Sequence, residues 1–244
     1  MKLVPIVSLC AFIGFGYGLR LPSYIKNCIV SDVNFKECAL KSGNDAIPIL
    51  IKGDKTYNIP PLDPLILPAV SLTGIGGLQL NATNLVITGF RDTELIDVGA
   101  STEKQNMFIK LAIPLMDMDF KYSVDGNIAA LPIEGNGQGK IQIHKGIFSY
   151  GLDYKIGEKR GKRFMQVIKD DIKIEPKGVN FNFDNLFGGD KILGDQVNKF
   201  LNENWREIME ELTPSVNEVI RALIRRITGY ILQKVPIEEI FPDS

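Results

Sequence analysis

The chain has a single histidine and only three cysteines among its 244 residues. With one imidazole, any Ser-His-Asp or Cys-His site must be built on His144. That residue shares a strand parity with Lys140 and Gln142 and reads as a solvent-facing side chain. Two of the cysteines plus one histidine do not supply a four-ligand zinc set, so no metal or other cofactor is expected. Neither sign of charge is in excess: 28 Lys and Arg face 29 Asp and Glu, a net charge of −1. That excludes the basic surface nucleic acid requires and a strong polybasic membrane segment. Phosphate loops are missing too. Gly74-Ile75-Gly76-Gly77 lacks the fingerprint, and Gly135-Asn136-Gly137-Gln138-Gly139 precedes a strand rather than a helix, so it reads as a turn. Asp117 and Asp119, two apart on one strand face, read as a solvated pair near Lys121 rather than an acid/base couple.

The N-terminus carries the one long apolar run. Lys2 supplies a positive start, Leu3 to Tyr17 has no charged residue, and Gly16 and Gly18 are small residues before a cut at Leu19. This is the pattern of a cleaved secretory leader, and the run is shorter than the roughly 20 residues a spanning helix needs. Residues 1–18 are expected to be removed and 19–244 to form one domain, secreted and soluble. Arg20, Pro22 and Lys26 suggest an exposed mature start. Losing Lys2 takes the net charge from −1 to −2. Cys10 leaves with the leader. Cys28 and Cys38 remain, and in an oxidising compartment they are most simply one disulfide. The sequon at Asn81 is a candidate glycan site.

Along the mature chain, a short helix is expected over 32–38 and another over 37–51, interrupted at Gly43 and Pro48. Ile59-Pro60-Pro61-Leu62-Asp63-Pro64-Leu65 forbids regular structure and reads as an apolar turn. From Leu78 to Phe183 the period is two. Met107, Ile109, Leu111 and Ile113 alternate with Phe108, Lys110 and Ala112. After Pro114 the alternation resumes on Met116, Met118, Phe120 and Tyr122, then on Ile141 and Ile143, then on Val179, Phe181 and Phe183. Such alternation marks strands with one buried face. Turn signals at 125–127, 135–137, 157–161 and 176–178 divide them into an antiparallel meander. The period then becomes helical: Phe200, Trp205, Ile208, Val219 and Leu223 lie on one stripe between Lys191 and Val235. Unbroken, those residues would span about 68 Å, against a radius of gyration of about 17 Å for a compact globule of this size. Either the body is elongated along the helix, or the helix breaks at Pro214, with Thr213 as an N-cap. Apolar stripes by themselves favour a packed core over a hollow one.

The proline segment combines with the tail motifs Leu186-Phe187-Gly188-Gly189-Asp190-Lys191-Ile192-Leu193-Gly194 and Phe200-Leu201-Asn202-Glu203-Asn204-Trp205. Together with the export signal and the N-terminal cysteine pair, they resemble the takeout and juvenile-hormone-binding protein family of insects. The single mature cysteine pair is more similar to the takeout branch than to the hormone carriers, which on the resemblance have a second bridge. The resemblance implies an α+β fold: a long, strongly curved antiparallel sheet wrapped around one long C-terminal helix, an elongated single domain with an apolar tunnel. It also implies a secreted, non-enzymatic carrier of a small lipid-like ligand, terpenoid or fatty-acid-like, with links to circadian, feeding or chemosensory physiology.

On that reading the ligand is lined by Met107, Ile109, Leu111, Ile113, Met116, Met118, Phe120, Tyr122, Ile141, Ile143, Phe181, Phe200, Trp205, Ile208, Val219 and Leu223. A few polar groups would orient its head, with Tyr122 leading and Tyr150 and Tyr154 behind. Arg221, Arg225 and Arg226 read as a solvated helix face, or as the contact for a receptor or an anionic membrane surface. A monomer is expected. The alternatives are a secreted protein acting through its surface and a lipid-acting enzyme based on His144.

Overall fold

The computed structural model describes residues 18–74 and 76–243; the body of the expected leader, residues 1–17, lies outside the described residues. Seven antiparallel strands form one sheet: β1 (Leu65–Thr73), β2 (Gln79–Thr88), β3 (Glu94–Ser101), β4 (Asn106–Ile128), β5 (Leu131–Lys159), β6 (Lys162–Glu175) and β7 (Gly178–Phe183). Among the described residues four α-helices accompany them: α1 (Phe35–Leu50), α2 (Lys191–Glu203), α3 (Trp205–Lys234) and the short α4 (Ile237–Ile240). The sheet is not a simple meander. The long strand β4 pairs with β5 from Asn106 opposite Asp153 to Ile128 opposite Leu131, and each of the two serves two further neighbours in turn. β3 pairs with the first half of β4 and β2 with the second; β7 pairs with the first half of β5 and β6 with the second. A straight strand of 29 residues would reach about 95 Å. The sheet instead curves along α3, whose 30 residues span about 45 Å.

Pro114 marks the middle of that curve. It cannot donate to the ladder, and its neighbour across the hairpin, Lys145, has φ +48°. Buried positions on β4 change parity there, from Ile113 to Met116, and on β5 from Ile143 to Gly146. The phase change visible in the sequence is therefore real and matched on both strands.

Several local expectations are corrected. The segment 135–137 is not a turn but the start of β5, with Gly135, Gly137 and Gly139 opposite Val124, Tyr122 and Phe120. A Cβ on Gly139 would come within 2.5 Å of the Phe120 ring, and one on Gly137 within 2.8 Å of the Asp184 carbonyl. The glycines let two rings and the chain entering α2 lie flat on the sheet. Residues 125–127 likewise lie inside β4. The hairpin tip is Ala129-Ala130, at φ +46° and +62°, the primed geometry that matches strand twist. The turns near 160 and 177 stand, with Arg160 and Gly161 both at positive φ. β1 was not foreseen beyond its prolines; it is an edge strand, the one place where Pro68 costs no central ladder bond.

The helices differ as well. α1 is one helix of 16 residues that starts at Phe35 and runs through Gly43 and Pro48. Gly43 is small because the helix lies on β3, where a Cβ would sit 2.4 Å from Leu95 Cδ2. The C-terminal helix breaks at Asn204 (φ −109°, ψ 24°) rather than at Pro214, which lies inside α3. Pro214 is exposed, so water can serve the Glu210 carbonyl it leaves without a donor. Thr213 is not an N-cap; its hydroxyl donates to Met209 O at 2.5 Å. Of the residues expected to be exposed after the leader, Arg20 and Lys26 are, but Pro22 is buried; Leu19 N donates to Lys234 O, and Leu19 and Leu21 pack beside Tyr57, Ile59 and Val235. Cys28 and Cys38 form a disulfide across ten positions, a closure of about 3 kcal/mol in the chain-entropy account.

Two strand edges are closed by asparagines. Asn202 accepts from Phe181 N and donates to Phe181 O, both at 2.8 Å; Asn198 does the same for Phe183 at 2.9 and 2.8 Å. Residues four apart on a helix are separated by about 6 Å and residues two apart on a strand by about 6.8 Å, so α2 matches the β7 edge. Asn44 of α1 closes β3 through Leu95 N and O. Replacing Asn202 by Ala should therefore lower stability by about 1–3 kcal/mol, by leaving a partly buried N–H and C=O unpaired. The expected result is a lower urea midpoint at unchanged slope; an unmoved midpoint would show that solvent serves this edge.

Candidate functional site

The concave face of the sheet and the apolar stripe of α3 enclose the interior. At one end Ile113, Met116, Phe120, Tyr122, Ile143, Phe181 and Ile208 are buried in one cluster, with Met118, Ile141, Phe200, Trp205 and Leu223 half-buried against it. At the other, Met107 and Ile109 pack half-buried on Tyr150, Leu152, Tyr154 and Met165. Leu111 and Val219 are half-buried and belong to neither cluster. The structure thus gathers the residues expected from the sequence along one face. It adds Phe148, which the alternation did not single out, and Val216 and Ile224 of the helical stripe.

Helix α3 is fastened at its ends and loose between them. Near its start, Glu211 accepts from Ala129 N at 2.8 Å and Gly76 N at 3.2 Å, gathering two hairpin loops, and Ser215 donates to Thr73 O at 2.6 Å. Ile208 and Leu212 are buried at that end, and Gly229 and Leu232 at the other. Between Leu212 and Gly229 no residue of α3 is fully buried, although Val216, Ile220, Leu223, Ile224 and Ile227 all touch the core. The main backbone approaches of α3 are to β6, with lesser ones to β1 and β7, at the flanks of the sheet.

The tyrosines change order. Tyr122 is buried, but its hydroxyl donates to Asp184 O at 2.6 Å and its ring meets Phe183 edge-on at 4.9 Å. It anchors the chain entering α2 and has no free donor for a ligand. Burial pushes its pKa up to about 12. Tyr150 donates to Asp170 at 3.0 Å. Tyr154 is 1% exposed and its hydroxyl has no partner.

Asp170 is a polar group the sequence did not reveal. A phase slip between Tyr154 and Asp153 on β5, opposite the bulged Ile168, turns its side chain inward. Arg225 grips it through both Nε and Nη2. Arg225, though exposed as expected of a solvated face, is committed to Asp170, while Arg221 lies 4.0 Å from Asp171 and Arg226 is exposed. Burial alone would raise the Asp170 pKa, but bonds from Arg225 and Tyr150 and the charges of Arg225 and Arg221 hold it below the ordinary carboxylate range. On the outer face, Asp117 is held by Gln142 at 2.7 Å and by Lys140 at 3.3 Å, and Asp119 by Lys140 at 3.7 Å, so Lys140 across the strand replaces the expected Lys121. An open depression of about 600 Å³ over Phe108, Gly99 and Gly151 has a mixed rim of Lys104, Lys169, Asp153 and Asp171; it does not shield an apolar guest. Among the described residues no cluster of His, Cys, Asp or Glu could hold a metal, and no helix is long and apolar enough to cross a membrane.

This architecture defines a class of single-domain α+β proteins in which a curved antiparallel sheet clasps a long helix. Residues 6–242 match the model of the haemolymph juvenile hormone binding protein family, and the chain belongs to that family, which is one of ligand-binding proteins. Among curated relatives, the circadian clock-controlled protein daywake of Drosophila melanogaster is 22% identical over 236 residues, covering 90% of this chain and 88% of its own. The protein of the same name in Drosophila yakuba is 21% identical over 234 residues, with the same coverage. Takeout 1 of Epiphyas postvittana superimposes with a TM-score of 0.79 at 25% identity, over 89% of this chain and 99% of that one.

The Asp170–Arg225 pair fixes a pH dependence. Because the folded carboxyl titrates below its unfolded value of about 3.9, its stabilising effect is complete above that value and is lost as pH falls through the lower folded one. Asp170→Asn should be less stable at pH 7 by about 2 kcal/mol, less than for a fully buried pair because the guanidinium is half exposed. Its acid-unfolding curve should be correspondingly flatter; equal slopes in both proteins would show that the pair contributes nothing net.

Proposed function

We propose that the protein is a secreted carrier that holds one small hydrophobic molecule between α3 and the concave face of the sheet. One observation carries this reading: the middle of α3 is apolar, faces the core, and yet is nowhere fully buried. Protein interiors ordinarily pack to crystal-like density. An apolar stripe left half-buried inside a clasping sheet is what a removable guest requires. Transfer of apolar surface from water is favourable by about 25 cal/mol per Å², so such a guest binds without a charged anchor. The lining would be the residues expected from the sequence, with Leu111 and Val219, which touch neither packed cluster, nearest the guest.

The leader pattern supports export, with cleavage before Leu19. Asn81 is exposed on the outer face, where its carbonyl oxygen accepts from Ser71 at 2.7 Å, and it is the proposed glycan site. The clock-controlled names of the two relatives support a link to daily physiology, checked by sampling the protein's abundance through the day.

Val219→Trp tests the reading. If the interior holds a guest, the indole occupies its space. Retention of co-purified lipid and binding of Nile red should then fall at least tenfold, while the urea midpoint moves by less than about 0.5 kcal/mol equivalent. If the interior is solid, the same substitution overpacks it and costs about 1–3 kcal/mol. That result, together with no saturable binding of any apolar probe by the unaltered protein, would defeat the carrier reading.

A further inference from the structure

Resting on the carrier reading, we infer that the Tyr154 hydroxyl is the anchor for the polar end of the guest, and that this end is an uncharged oxygen such as an ester or ketone. Four other tyrosine hydroxyls already have partners: Tyr24 on Asp54, Tyr57 on Arg20 O, Tyr122 on Asp184 O and Tyr150 on Asp170. Tyr154 is buried as deeply as any residue of its cluster except Met165 and Ile237, yet its hydroxyl bonds to nothing. An unpaired buried hydroxyl is costly, and a guest oxygen would remove that cost.

The surroundings select the guest. Val167, the cross-strand partner of Tyr154, lines a groove of about 420 Å³ between the β5–β6 hairpin and the Arg225–Gly229–Gln233 row of α3. Gly229 is buried, and a Cβ added there would meet nothing within 4 Å, so the helix leaves open space at this point. The groove is a lateral way in. The hydroxyl itself has no accessible surface, so the guest must displace a neighbour. Met165, fully buried in the same cluster, has the unbranched thioether chain that yields most readily. Burial raises the Tyr154 pKa, so the phenol is a neutral donor. A neutral donor satisfies a carbonyl or ether oxygen but does not offset the desolvation of a carboxylate. Of the two cations on the groove, Arg225 is committed to Asp170, and Lys159 stands at the exposed rim.

The test compares displacement of Nile red by methyl hexadecanoate, hexadecane and hexadecanoic acid in the full mature protein and in Tyr154→Phe. The unaltered protein should favour the ester over the hydrocarbon about tenfold, the ratio set by one ordinary hydrogen bond. Tyr154→Phe, which keeps the ring and should melt no lower, should bring that ratio within twofold while leaving hydrocarbon affinity unchanged. A ratio that survives in Tyr154→Phe overturns the assignment and leaves the carrier reading standing. So does a free acid that binds tenfold better than its ester. Failure of all three compounds to displace the probe from the unaltered protein overturns both.

Discussion

The backbone groups along β3 and β7 must find partners, because each of these strands pairs with a long strand on one side only. Exposed edges invite pairing with other chains. Here side-chain amides take the place of another strand: Asn198 and Asn202 from α2 for β7, Asn44 from α1 for β3. α1 is thereby placed along the β3 edge and α2 along the β7 edge. They cover edges, and apart from Val197, Phe200 and Leu201 of α2 the helical side of the interior comes from α3.

A single helix cannot fill a long curved sheet, and α3 does not. Its firm attachments are polar and specific: Glu211 and Ser215 at one end, and Arg225 on Asp170 towards the other. Hydrogen bonds and an ion pair fix position without requiring dense packing around them. The middle of the helix can therefore stay apolar and loosely covered while its placement remains defined. In an ordinary core the same positioning would come from interdigitated side chains, and there would be no room to vary the contents. The cost of leaving apolar surface half-covered is set against the polar clasps and the edge closures.

Much of this was legible in the sequence, and the exceptions share a cause. The two-residue period located β2, β4, β5 and β7, the turn signals bracketed β6, and the phase change at Pro114 appears in sequence and structure alike. The cysteine pair and the helical stripe from Phe200 to Leu223 were equally plain. What failed were inferences from one residue type to one local shape. Gly135-Asn136-Gly137 suggested a turn because glycine tolerates unusual φ, but here glycine is used for closeness: Phe120 and the Asp184 carbonyl lie where a Cβ would go. Pro214 suggested a helix break, but an exposed carbonyl without a donor is served by water. The actual break, at Asn204, has no strong sequence signal; there Asn204 Nδ2 donates to Phe200 O at 2.8 Å.

The polar groups of the interior were misread for a related reason. Tyr122 looked suited to a ligand because it ends an apolar strand face and carries a hydroxyl. Whether a buried hydroxyl is free depends on groups remote in sequence, and Asp184 O, which accepts the hydrogen bond from Tyr122, is 62 positions away. Asp170 stayed hidden because a one-residue slip opposite Tyr154 reverses the parity of β6, and no turn residue marks it. The slip and the unpaired hydroxyl fall at the same place in the sheet. Local departure from the regular ladder brings Asp170 inward to hold Arg225, and leaves Tyr154 beside it without a partner. One irregularity in β6 thus supplies both the clasp for α3 and the open hydrogen-bonding position in the interior.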